Sequence, residues 1–260
     1  MVSRVFSSDR LPRGLAVPVV LVLVAEIAWV ASGTTSDSLA APSAVLLRML
    51  GALADGSMLV ATGETLRAAF GGLAIGASVG LALGLLRGTF GPIDELLDVT
   101  VEALRPIPSS ALIPVTILIF GFGYGLEMTC VAISCTWTML VLSRAAVIAV
   151  EPQLIEVGRV LRLGFLPRMT KIVLPAALPR IFVAFRLCTG LSLIVAVTTE
   201  ITANPLGLGY QMMVAQQSLQ PDLTIAYLVW IGFIGWGLNQ VLVTAQRRLF
   251  GRVALVGANS

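Results

Sequence analysis

The sequence has no histidine and a single lysine, Lys171. Without imidazole there is no Ser-His or Cys-His dyad and no histidine metal ligand. Cysteine is nearly as scarce. Cys130, Cys135 and Cys188 each sit inside an apolar run, and an odd number so placed argues against a disulfide framework. They read as small apolar side chains within helices. Charge is the third shortage. Only 12% of the 260 residues are charged and 57% are hydrophobic, against roughly 25% and 45–50% in soluble domains. Seventeen basic and fourteen acidic residues cannot cover a water-facing surface for a chain of mean hydropathy +0.94. This excludes an ordinary soluble globule and a disordered chain. The net charge of +3 does not signal nucleic acid, because the basic residues form no continuous face with interleaved aromatics.

The long apolar runs that are present predict an all-α membrane protein. A spanning helix needs about 20 apolar residues. Six stretches approach this: 15–32, 66–86, 104–122, 128–150, 181–201 and 223–245. The third is interrupted by Pro106, Pro108 and Pro114. None alternates as a membrane β-strand would. The first could instead be a cleaved signal peptide with Arg4, Arg10 and Arg13 as its charged region. Its length and Glu26 favour a retained helix.

Lys and Arg orient the chain. With both termini cytoplasmic, the inner side holds three in the N-tail, Arg87 and Arg105 before the third span, seven between spans four and five, and three in the C-tail (Arg247, Arg248, Arg252). Only Arg48 and Arg67 fall outside. The chain divides into 1–60 (tail, first helix, external connection), 61–250 (a five-span core with the loop 151–181) and the tail 251–260.

Catalytic chemistry is missing. The sole lysine lies in Met169-Thr170-Lys171-Ile172, so there is no phosphate-cradling G-x-x-x-x-G-K-[ST] loop. Any ATP used is hydrolysed by another chain. There is no paired-carboxylate constellation of the kind that marks hydrolases. The intramembrane ionisable candidates are Glu26, Arg67 and Glu200, which is thin for an ion-coupled carrier. The expectation is a non-enzyme with no metal site.

Two patterns stand out. Gly72, Gly76, Gly80, Gly84 and Gly88 recur every four residues, a smooth stripe that lets backbones approach closely, within the chain or between two copies. Gly121, Gly123 and Gly125 predict a turn between spans three and four. The loop 151–181 reads EPQLIEVGRVLRLGFLPRMTKIVLPAALPRI. Leu154, Ile155, Val157, Leu161 and Phe165 have helical spacing against Glu156, Arg159 and Arg162. Gly164 and Pro167 end that helix, and Pro175 and Pro179 mark re-entry into the membrane. Such a helix lies on anionic lipid or docks into a groove of a cytoplasmic partner.

This loop resembles the signature loop of permeases from binding-protein-dependent ABC importers: E-A-A, a glycine four residues on, then a hydrophobic residue, any residue, and Leu-Pro. Glu156 takes the first position; Ile172 and Leu174-Pro175 follow at the family's distance. Val157 and Gly158 stand for the alanines. Arg162 occupies the glycine position, with Gly164 two residues later, so the flexible break is expected to be displaced. Leu104-Arg105-Pro106-Ile107-Pro108, Ala111-Leu112-Ile113-Pro114, Phe120-Gly121-Phe122-Gly123, Glu200 and Gly207-Leu208-Gly209-Tyr210 resemble the sulfonate, taurine and nitrate branch.

The resemblance covers roughly residues 62–249. It implies the type I ABC importer permease fold, a cytoplasmic coupling helix between helices four and five, and a bacterial plasma-membrane location. It further implies pairing with a second permease copy or paralogue, two ATP-binding subunits that hold ATP and magnesium, and an external solute-binding protein. Docking to the ATPase falls to Glu156, Gly158, Arg159, Arg162, Gly164 and Phe165. The outer gate falls to Glu200, Gly207, Leu208, Gly209 and Tyr210. The cargo expected is a small organic anion; another cargo of the same fold (amino acid, phosphonate, pyrimidine), or a self-contained channel or secondary carrier, are the alternatives.

Overall fold

The computed structural model describes residues 11–32 and 39–251. Arg4, Arg10, Arg252 and most of the C-terminal tail lie outside them, as does the side chain of Arg159. The described residues are mostly helical and hold no strand, with α-helices in the order α1 Leu11–Ser32, α2 Pro42–Ala54, α3 Ser57–Thr89, α4 Gly91–Leu104, α5 Ile113–Phe120, α6 Tyr124–Ile148, α7 Pro152–Val160, α8 Phe165–Arg168, α9 Leu174–Thr202, α10 Gly207–Gln217 and α11 Pro221–Phe250.

Among the described residues four helical stretches are long and apolar enough to cross a membrane: Ser57–Thr89, Tyr124–Ile148, Phe165–Thr202 and Pro221–Phe250. The third predicted span is no single helix. Pro106 and Pro108 cannot donate to a helical ladder, so α4 stops at Leu104, and the chain restarts through a 3-10 turn at Ser109–Leu112 into α5, bent by 81°. The fifth span begins earlier than the apolar run suggests, because α8 passes through a π-helical turn at Met169–Val173 directly into α9. Two connections contain helices that the hydropathy pattern did not resolve, α2 and α10.

The chain forms two compact units. In the smaller one, Met1–Leu59 with Gln211–Trp230, Glu26 accepts hydrogen bonds from the Ser43 amide (3.0 Å) and hydroxyl (2.8 Å). Glu26 therefore caps the start of α2. The Arg48 guanidinium pairs with Asp222 at 2.8 Å. Asp55 accepts from the Ser57 amide at 2.9 Å, and the Ser57 hydrogen bonds hold its carboxyl below the ordinary value. Gly56, at φ 83°, turns the chain between α2 and α3.

In the larger unit, Val60–Tyr210 with Ile231–Ser260, the glycine stripe of α3 lies directly on α6. Gly72 faces the Met128 carbonyl and Val131, Gly80 faces the Thr136 carbonyl and Met139, and Gly84 faces the Leu140 carbonyl and Ser143. The stripe thus serves packing within this chain. Lipid gives helices no hydrophobic reason to associate, so close van der Waals contact must do it. α6 packs in turn on α9, where the thiols of Cys135 and Cys188 each point at the other's carbonyl. The three cysteines are buried and free. At one end of α3, Arg87 is almost wholly buried. It donates to Asp94 (2.8 Å) and Asp98 (2.6 Å), while Arg144 of α6 makes two bonds to Asp94. One carboxylate thereby ties α3, α4 and α6 together.

A methyl group added at Gly80 would sit 2.5 Å from the Thr136 carbonyl oxygen; at Gly63, on the same helix, it would meet nothing within 4 Å. Gly80→Ala should therefore cost about 1–3 kcal/mol, read as a lower thermal midpoint in detergent. Gly63→Ala should leave the midpoint unchanged or raise stability by about 0.5–1 kcal/mol. Equal effects at the two positions would contradict the stripe as the contact surface.

Candidate functional site: the coupling segment and the buried clasp

Two groups of predicted residues fall in different places on the chain, joined by α9. The first is the segment from α7 to the π-helical turn. Pro152 opens α7, as suits an early helical position. The helix then ends at Val160, and the Leu163 amide donates to the Gly158 carbonyl at 3.0 Å. This is a six-to-one closing bond of the kind that ends many helices. The residue it forces into left-handed geometry is Arg162, at φ 51°. The expected displacement of the break to Gly164 is therefore wrong. Arg162 itself supplies the break, and Gly164 (φ −61°, ψ 172°) is ordinary extended chain preceding α8. The closing bond fixes the geometry, and an arginine accepts it at a cost of about 1–2 kcal/mol. Pro167 does not end the helix either; it lies inside α8.

Gly158 is buried. A Cβ there would come within 2.9 Å of Ile172 Cδ1, so a small residue lets α7 lie against the π-helical turn. Phe165 stacks on Phe90 with ring centroids 5.0 Å apart. Glu156, Arg162 and Gly164 are exposed, and so are the apolar side chains of Val157, Val160, Leu161 and Leu166. The structure thus brings Gly158 and Phe165 into contact with the body and leaves Glu156, Arg162 and Gly164 facing outward.

The second group is a buried polar clasp at the opposite end of α9. Glu200 is 1% exposed and accepts from the Gly209 amide at 2.7 Å. The Gly207 amide donates to Glu64 (2.9 Å) and the Leu208 amide to the Thr65 hydroxyl (2.9 Å). Gly207 needs its glycine, since φ is 84° and a Cβ would collide with the Glu200 carboxylate. Tyr210 is half-buried. Asn204 donates to Glu127 and accepts from the Gly123 amide, each at 2.8 Å. The Glu127 and Glu200 carboxyl groups lie within hydrogen-bonding reach of one another, and the Oε1 atom of each has no other donor.

The sequence reading found Glu200 and Gly207 to Tyr210 but missed Glu64, Thr65, Glu127 and Asn204. The carboxylates brought together here are buried and tied to the chain's own amides, unlike the open pair of a hydrolase. Glu127 and Glu200 belong to helices distant in sequence, so no spacing rule could pair them. Glu127, which falls between the predicted spans 104–122 and 128–150, occupies the first turn of α6 and is 1% exposed. A carboxylate at the end of each of three apolar runs was the available signal. Chemically the clasp ties α3, α6, α9 and α10 together near their ends; the described residues hold no group of side chains arranged for a metal ion.

This frame, with a broken span, a helix pair tied by glycines and an amphipathic segment leading into a long helix, is that of an importer permease. Solved structures agree on the fold. An amino acid ABC transporter matches with a TM-score of 0.66 at 19% identity, over 77% of this chain and 98% of that one. The MetNI methionine ABC transporter matches with a TM-score of 0.58 at 18% identity, over 70% and 92%.

Residues 72–255 match the binding-protein-dependent transport system inner membrane component family, and the chain belongs to it. It is similar to the SsuC protein of Bacillus subtilis, named for aliphatic sulfonates transport (26% identical over 91% of this chain and 86% of that protein). It is also similar to the bicarbonate transport permease CmpB of Synechococcus elongatus (30% over 68% and 64%) and the nitrate import permease NrtB of Leptolyngbya laminosa (27% over 66% and 61%).

A glutamine at 127 or 200 offers an amide donor to the facing carboxylate. Glu127→Gln should therefore hold the thermal midpoint at or above that of the native chain. Glu200→Ala strands the Gly209 amide and should cost about 1–3 kcal/mol. A Glu127→Gln chain as unstable as Glu200→Ala would refute the clasp. At the other end, Arg162→Gly relieves the left-handed strain and should stabilise the segment by about 1 kcal/mol, seen as slower proteolysis between residues 151 and 168.

Proposed function

We propose that this chain is the pathway-forming subunit of an ATP-driven importer for a small anion, of the sulfonate, bicarbonate or nitrate kind, and that it catalyses no reaction itself. The relatives named for aliphatic sulfonates, bicarbonate and nitrate support the cargo class, since all three are small anions. Two copies, or one copy and a paralogue, would enclose the pathway in a bacterial plasma membrane, with both termini in the cytoplasm. Two cytoplasmic ATP-binding subunits would hold ATP and magnesium, and an external binding protein would deliver the solute. The core 61–250 carries this work.

The observation that carries the reading is the outward face of α7 and the following turn. Glu156 and Arg162 are exposed there beside Val157, Val160 and Leu161. A short helix with apolar anchors and charges of both signs suits a groove on a soluble partner. Gly158 and Phe165 hold the segment to the body, so force on α7 passes into α9. In this reading Arg159 joins the docking face, and Glu200 with Gly207 to Tyr210 fixes the outer gate.

Glu156→Lys and Arg162→Glu should each cut recovery of the ATP-binding subunit with the affinity-purified permease at least tenfold, with uptake into proteoliposomes falling in parallel. An unchanged complex with unchanged uptake sinks the docking assignment. A complex that forms normally but binds anionic vesicles less well assigns α7 to the membrane surface instead.

A further inference from the structure

A second feature lies at the bend of the broken span, away from both groups above. Arg105 ends α4, at the 81° turn enforced by Pro106 and Pro108. The sequence reading put it in a cytoplasmic connection. Together with Ile133, Ser134, Trp137, Thr138, Val141 and Leu142 of α6 it lines a cavity of about 280 Å³. That is just below the usual range for drug-sized ligands, so the space suits a small solute.

Arg105 has no ion-pair or hydrogen-bond partner for its side chain among the described residues. Two other arginines that line cavities are engaged: Arg48 with Asp222, and Arg186 with Gln246. No acidic residue is among those lining the Arg105 cavity. Trp137, with its indole N–H, and Ser109, with its hydroxyl, also line it, and neither side chain makes a hydrogen bond among the described residues. Ser134 and Thr138 complete the polar side, their hydroxyls donating to helix carbonyls. Arg105 is exposed, and no carboxylate lines the cavity to neutralise it, so its charge faces whatever enters. Guanidinium, indole N–H and hydroxyl are all donors, and a fixed arginine fork matches the oxygens of a planar or tetrahedral oxyanion.

We propose that Arg105, Trp137 and Ser109 form an oxyanion-binding station inside the permease, taking sulfonate, carbonate or nitrate groups in transit. This rests on the small-anion reading above and adds the residues that would select the charge. A station with one arginine and two neutral donors holds an anion without trapping it, as passage requires.

Thiol labelling tests the station without transport. The native cysteines are buried, so Ser134→Cys gives one reactive thiol in the cavity wall. The assembled complex is treated with an anionic (sulfonatoethyl) or a cationic (trimethylammonioethyl) methanethiosulfonate. The anionic reagent should react faster, and Arg105→Gln should shift the ratio of the two rates at least tenfold towards the cation, with Arg105→Lys intermediate. A ratio that Arg105→Gln leaves unchanged, or a thiol that neither reagent reaches, overturns the station. If Ser134→Cys fails to fold, Thr138→Cys takes the same comparison.

Uptake of labelled ethanesulfonate, nitrate and bicarbonate is measured on the native complex beside it. Transport of none of the three defeats the anion-permease reading even if the labelling ratio behaves as expected. Transport that survives Arg105→Gln at full rate defeats the station alone.

Discussion

Backbone-to-backbone contact between α3 and α6 is the constraint on which the larger unit depends. In water an apolar helix gains by leaving solvent, and almost any complementary face will do. In lipid that gain is absent, so the pair must win through dispersion over a close surface. Gly72, Gly80 and Gly84 remove the side-chain layer altogether and set carbonyl oxygens of α6 against bare Cα atoms of α3. Once that distance is fixed, Thr136 reaches the Gly76 carbonyl at 3.3 Å, Arg87 and Arg144 share Asp94 at one end, and Glu127 and Glu64 join the clasp at the other.

The scarce charge is therefore used at the ends of helices, where lipid gives way to headgroups and water. Removing one member of a buried pair leaves the other uncompensated, and the penalty exceeds what the pair contributes when intact. Such networks specify which helix ends meet more than they add stability. Arg105 differs in its company, since every other residue lining its cavity is neutral.

Much of this architecture was legible in the sequence. The stripe at every fourth residue announced its own contact, because helical periodicity turns spacing into a face. The prolines at 106 and 108 announced the broken span. Composition located most of the membrane helices because the bilayer demands length. What stayed hidden was tertiary. Glu127 and Glu200 meet only because α6 and α9 pack together, and nothing in either local stretch says so. Arg162 misled for a different reason. Its residue type forbade the conformation that its position required, and position prevailed through one hydrogen bond from Leu163. The docking loop was legible as a loop, and its hinge was not.

The run from Phe165 to Thr202 has a mechanical consequence. Its 38 residues proceed from the coupling segment to the clasp without an intervening loop. At about 1.5 Å per residue that is a rod of roughly 57 Å. Tilting such a rod by about 5° around its centre moves each tip by roughly 2.5 Å, close to the length of a hydrogen bond. The clasp at Glu200 is made of contacts of that length. Leverage alone, with no change in the helix itself, is thus large enough to break it.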